Sequence, residues 1–148
     1  MIYYRASERN FMKIISALTG LEHSKDEITF FAEGLTDCEK RAEIDRVGLE
    51  NGCAAIILED LAYPKGMVGY MLSKNDNGGK SLRVVYERER MVEDIMDVNG
   101  CDESDAWDWY SYNTERGCPY CYTSEAPCPE IIFYDDAEDA VAEEEDEN

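Results

Sequence analysis

Apolar positions along this chain recur at intervals that predict short helices and strands separated by turn residues. Residues 2–4 predict a short strand. A helix follows from Ser7 as N-cap to about Leu18, because Phe11, Ile14, Ile15 and Leu18 fall on one helical face and Gly20 stands just beyond. Residues 26–31 fit either a strand or a helix and end near Gly34. Thr36-Asp37-Cys38-Glu39 is a capping box: the Thr side chain and the Glu three residues later satisfy each other's free backbone N–H groups. It opens a helix over 37–50 that Gly52 stops.

Residues 53–58 form a buried-strand pattern. Residues 67–73 and 82–87 flank Asn75-Asp76-Asn77-Gly78-Gly79, whose Asn-Gly pair provides the positive φ angles of a tight reversal, so these two runs predict a hairpin. Residues 89–98 read as a helix with Met91, Val92, Ile95 and Met96 inward, stopped by Gly100. A second helix is predicted over 102–114. Asp102 is its N-cap, further acids lie in the first turn at the positive end of the helix dipole, and Ala106, Trp109, Tyr110 and Asn113 form its inward stripe. Residues 131–134 predict a last strand. Helices and strands in mixed order around a hairpin give one α+β domain over 1–134, its helices packed on a small antiparallel sheet. The acid- and Ala-rich tail 135–148 is expected to be disordered.

Charge changes this picture more than composition does. With 148 residues and 44% hydrophobic side chains the chain can build a core, burying roughly 68–70% of its unfolded surface. Its longest apolar runs, such as 54–58, fall far short of the roughly 18 residues of a membrane span. The N-terminus lacks the basic, apolar, small-residue order of a signal peptide, which predicts a cytoplasmic protein. The net charge of −20 is segregated: residues 1–74 carry 12 Asp/Glu against 9 Lys/Arg, residues 75–148 carry 22 against 5. Nine acids lie between Asp135 and Glu147, yet residues 91–134 still hold ten against the single base Arg116, so a folded segment is polyanionic too. Such a surface repels nucleic acid and anionic membrane and attracts basic partners. A protein that itself binds DNA or RNA is the partner these charges fit.

On the two acidic helices, Glu93, Asp94 and Asp97, then Asp105, Asp108 and Tyr112, are expected to face outward. Like charges three or four apart cost a helix a few tenths of a kcal/mol per pair, so helix stability does not favour the pattern. Duplex DNA presents one negative charge per roughly 1.7 Å of axis to the Lys and Arg that grip it, and a rigid array of carboxylates competes for the same basic channel. Trp107, off the inward stripe, and Tyr112 are the expected anchors, since such side chains carry large contact energy. The alternative for Trp107 is packing on the neighbouring helix.

The cysteines offer a second chemistry. Cys118-Pro119-Tyr120-Cys121 is a C-x-x-C, and with Cys101 and Cys128 it supplies four thiols, the number a tetrahedral zinc site needs, so a small zinc-stabilised adaptor is the alternative to the acidic competitor. The tetrapeptide resembles the redox motif of glutaredoxins, although in that family it opens a helix directly after the first strand, where the dipole lowers the thiol pKa. Cys38 and Cys53 read as ordinary thiols. The lone His23 has no Ser or Cys partner in a nucleophile motif, and no dinucleotide, P-loop or zincin pattern occurs. The run Gly69-Tyr70 to Val84-Val85 followed by a helix faintly resembles N-acetyltransferases but lacks their glycine-rich pyrophosphate turn. The residues point to a binding protein rather than an enzyme, with no cofactor.

The stretch from Met91-Val92-Glu93-Asp94-Ile95 through Asp102-Glu103-Ser104-Asp105-Ala106-Trp107-Asp108-Trp109-Tyr110 and Tyr112-Asn113-Thr114, then residues 127–133, resembles the C-terminal part of small acidic proteins of phages and prophages. The resemblance covers roughly a third of the chain, and Cys118, Cys121 and Cys128 depart from it. It implies an anti-defence inhibitor of the DNA-mimicking anti-CRISPR kind, whose partner is a host CRISPR effector or nuclease, and it carries over no catalytic residue.

Overall fold

The computed structural model describes residues 12–59 and 63–135. The expected strand at 2–4, the start of the helix expected from Ser7 and the tail beyond Asp135 lie outside the described residues. The order is β1 (Lys13–Ser16), β2 (Glu22–His23), β3 (Thr29–Phe30), α1 (Asp37–Asn51), β4 (Met67–Lys74), β5 (Lys80–Glu87), α2 (Arg88–Asn99), α3 (Glu103–Tyr110) and β6 (Glu130–Asp135). One six-stranded sheet runs β2-β1-β6-β5-β4-β3. Helices and sheet form a single α+β domain, as the sequence predicts. The sheet is mixed: β6 pairs antiparallel with β1 and parallel with β5. A parallel pair needs a long crossover, and α2 and α3 are that crossover between β5 and β6.

Alternation along the strands separates two cores. Met67, Val84, Tyr86 and Ile131 face the helices and pack with Ile44, Val47, Met91, Ile95, Ala106 and Tyr110. Val68, Val85, Ile132 and Tyr134 point the other way and gather Ile14 and Ile28. The capping box forms at Thr36, which accepts from the Glu39 N–H, while Gly52 and Gly100 end α1 and α2 in the left-handed region at φ 67° and 64°, open to glycine at no steric cost. The hairpin of β4 and β5 turns where the Asn-Gly pair places it.

Three expected elements are corrected. The residues expected at the end of the first helix form β1, where burial alternates so that Ile14 and Ser16 are buried; Ser16 reads as a polar break only until its buried partner, Glu130, is known. Residues 53–58 take no regular structure and pair with no strand among the described residues, and β3 takes the outer edge of β4 instead. The second acidic helix widens after Tyr110 into a π turn, Ser111–Glu115, in which the Arg116 N–H reaches back to the Ser111 carbonyl. The extra residue rotates the face, so that Thr114, not Asn113, turns inward and shares a hydrogen bond with the Tyr63 hydroxyl.

The close approach of β3 to β4 depends on Gly69. A Cβ there would lie 2.2 Å from the Thr29 carbonyl oxygen and 3.0 Å from Phe30 Cα, backbone atoms that cannot step aside alone. Gly69→Ala is expected to lower the unfolding free energy by about 1–3 kcal/mol, the usual cost of overpacking. Urea unfolding measures it, and wild-type stability would mean that β3 contributes nothing.

Candidate partner-binding surface

α3 begins at Asp102, whose side chain accepts the Asp105 N–H at 2.9 Å and so caps the helix while adding a charge to its positive end. Ala106 and Tyr110 are buried, which leaves Asp105 and Asp108 on the solvent side of the same turn. Among the described residues, no Lys or Arg forms an ion pair with Asp102, Asp105 or Asp108. Tyr112 follows on the exposed side, 73% accessible, with the Arg116 guanidinium 5.6 Å from its ring centre. Tyr120 and Tyr122, not singled out by the sequence reading, are also exposed large side chains in the loop beyond the helix. Their surroundings gave no local signal, since neither lies on a periodic face.

Trp107 is half-buried. It packs against the core, stands edge-on to Tyr110 at 5.8 Å and 87°, and has the Arg88 guanidinium 5.4 Å from its ring centre. The same guanidinium lies 4.1 Å from the Phe133 ring centre and ties α2, α3 and β6 together. Trp107 is therefore held largely by its own chain, in line with the packing alternative.

The acids of α2 are arranged differently from the expected outward face. Asp94 is only 2% exposed and leaves that face: its carboxylate accepts the Gly66 N–H at 2.8 Å and the Lys65 N–H at 3.1 Å. Burial pushes its pKa up to about 6, against the pull of those two hydrogen bonds and of Lys65 and Lys40. It serves the turn before β4 as a backbone clamp. Glu93 and Asp97 flank it and both hold the Lys65 ammonium, at 2.7 and 2.8 Å. Those hydrogen bonds, Asp97 first, raise the Lys65 pKa above its ordinary value. Of the seven side chains expected to meet a partner, Asp105 and Asp108 are exposed with no ion pair among the described residues, and Tyr112 is exposed with only Arg116 beside its ring, whereas Glu93 and Asp97 have found Lys65.

The thiols take up separate roles. Cys118 is buried with its Sγ 3.5 Å from the Pro129 carbonyl oxygen, and burial, reinforced by Cys128 and Cys121, pushes its pKa up to about 12. That is opposite to the lowered pKa that a thiolate nucleophile needs. Cys121 is exposed and its Sγ lies 3.6 Å from the Gly117 carbonyl oxygen, while Cys128 Sγ lies 3.8 Å from the Arg83 guanidinium. Cys101 is half-buried against the helix-side core. Among the described residues, no group of three or more His, Cys, Asp or Glu side chains is placed to hold a metal ion.

His23 lies between two carboxylates: Nδ1 is 2.8 Å from Glu27 Oε2 and Nε2 is 2.8 Å from Glu130 Oε2. Burial works to lower its pKa, but the two carboxylates outweigh it and the pKa is raised. Glu130 also accepts the Ser16 hydroxyl at 2.8 Å and the Ile131 N–H at 2.9 Å, with the Arg83 guanidinium at 3.8 Å. Ser16 donates to the acid and not to the imidazole, so the group lacks the nucleophile–base contact of a hydrolytic triad. It is a buried tie between β1, β2, β5 and β6.

Among the described residues, no helix is long and apolar enough to cross a membrane. Comparison with family models, curated proteins and solved structures finds no match to this chain.

Proposed function

We propose that the protein is an inhibitor that binds a host nucleic-acid-binding protein through the outer face of α3, with Asp105 and Asp108 entering a basic groove and Tyr112 packing beside them. The observation that carries this reading is that Asp105 and Asp108 of α3 are exposed and without an ion-pair partner among the described residues, whereas Glu93, Asp94 and Asp97 of α2 are spent on Lys65 and on backbone N–H groups. Unpaired acids in a chain of net charge −20 add to self-repulsion, and a basic partner relieves it. The partner class is a nuclease or CRISPR effector, following the resemblance of residues 91–114 and 127–133 to phage proteins. Competition is for the channel that takes DNA or guide RNA, and the protein itself carries out no reaction on it.

The test is a pull-down from host lysate with the wild-type protein and with the double variant Asp105→Lys/Asp108→Lys. Wild type is expected to capture a nucleic-acid-binding complex that duplex DNA displaces and that washes off as salt shortens the screening length from about 10 Å at 0.1 M to about 3 Å at 1 M. The double variant is expected to capture none of it while keeping its far-ultraviolet dichroism and melting temperature, since both positions are exposed. Capture by the double variant, or capture that survives high salt, removes this face from the function.

A further inference from the structure

Lys40 is a buried cation that forms no ion pair with a carboxylate among the described residues. It lies in the first turn of α1, is 8% exposed, and its ammonium donates to the Pro64 carbonyl oxygen. An ammonium has three N–H donors, so a single carbonyl leaves most of its hydrogen-bonding capacity unmet by the described residues. Burial lowers its pKa; Asp94, Asp37 and Glu33 act on it only through space, and Arg90 opposes them. Burying a charge is costly unless it is paired.

That ammonium borders a cleft of about 210 Å³ between the 31–35 loop, α1, the 64–68 segment and the start of α2. Phe31, Met67 and Val68 give it apolar walls, and Lys65 and Arg90 are its other cations. Three of the chain's 14 basic residues thus meet at one opening in a strongly acidic protein. Lys65 is occupied by Glu93 and Asp97, and Arg90 stands 3.3 Å from Glu87 and 3.9 Å from Glu33. Lys40 is the cation in the cleft that has no ion-pair partner among the described residues.

We propose that this cleft binds a small organic anion, with a carboxylate or phosphate oxygen as the counter-ion of the Lys40 ammonium and an apolar body against Phe31 and Met67. The volume sets the size class: it is below the roughly 300–1,000 Å³ of sites that take drug-sized ligands, so the occupant is a small metabolite-like molecule. The site lies away from the outer face of α3 and does not depend on the inhibitor reading.

The experiment is thermal unfolding of the full chain against increasing acetate, benzoate or phosphate at constant ionic strength. At least one of the three is expected to raise the melting temperature saturably, as a ligand of the folded state must. Lys40→Met is expected to weaken that anion's binding roughly ten- to a hundredfold, the equivalent of one charge-assisted hydrogen bond, while Glu125→Gln on the surface leaves it unchanged. Benzoate acting alone identifies an apolar carboxylate, and phosphate acting alone a phosphorylated compound. Should Lys40→Met fail to fold, acetylation of the wild-type protein by acetic anhydride decides: the bound anion should slow labelling of Lys40 and not of exposed Lys74. No saturable shift with any of the three anions, the same shift in Lys40→Met, or equal protection of both lysines overturns the proposal.

Discussion

Glu130→Ala is expected to lower the unfolding free energy by about 3–5 kcal/mol, because it removes one side of a buried charged network and leaves the other in place. Glu130 is 2% exposed at the first position of β6, and its two oxygens take a hydroxyl from β1, an imidazole from β2 and its neighbour's backbone N–H, with an arginine of β5 alongside. Without it the buried Ser16 hydroxyl has no acceptor for its proton and keeps only the Leu18 and Thr19 N–H groups that it accepts, and His23 keeps only Glu27. Glu130→Gln retains the shape and an acceptor for Ser16 and Ile131, and its amide donates to a neutral imidazole, so it is expected to cost clearly less. Glu125→Ala, on the exposed loop, serves as the control and should stay within about 0.5 kcal/mol of wild type. Urea unfolding of the three variants ranks them; equal stability of Glu130→Ala and Glu125→Ala would mean the network holds nothing together.

This network also explains which parts of the fold were legible in the sequence. The capping box at Thr36, the N-cap at Asp102, the stops at Gly52 and Gly100 and the Asn-Gly hairpin are local devices, each made by residues within a few positions of one another, and all appear where the sequence places them. Ser16 and Glu130 lie 114 positions apart, and each reads as a surface residue until the other is beside it. Hence β1 was hidden inside a helical pattern. Asp94 is the same case on the candidate face: its spacing from Glu93 and Asp97 is that of an outer acid, but its partners are backbone N–H groups of Lys65 and Gly66, which no side-chain pattern advertises. Lys40 sits among the charged residues of α1 and becomes buried only because the 64–68 segment crosses it. The π turn cannot be read from periodicity, since it is a change of period. Asp105 and Asp108 of α3 were legible because no distant cation among the described residues pairs with them.

Two of these hidden groups make the protein most stable on the mildly acidic side of neutrality. The pKa of Asp94 is about 6 in the folded chain against an ordinary 3.8, so the fold favours its protonated form. Its contribution is fully present below about 3.8 and is lost as pH rises through about 6, a loss of about 3 kcal/mol across that window. The folded pKa of His23 is also raised, from 6.5, and the stability it supplies is present below 6.5 and lost as pH rises through the folded value. Both slopes run the same way, in successive windows. Glu27 and Glu43 act in the opposite sense: their pKa values are lowered from 4.5, chiefly by a backbone hydrogen bond in Glu27 and by Arg46 in Glu43, and what they contribute is lost on acidification below that range. Stability is therefore expected to peak near about pH 4.5, where the carboxylate gains are complete and the Asp94 loss has only begun, and to fall from there towards pH 8, measured as urea midpoints at fixed ionic strength. Asp94→Asn should flatten the slope between about pH 4 and 6, and His23→Gln the slope above 6.5, each leaving the other window unchanged; the slope is the readout, because either substitution also alters hydrogen bonds at every pH. A wild-type profile that rises from pH 6 to pH 8 would show that neither group is held as the folded geometry requires.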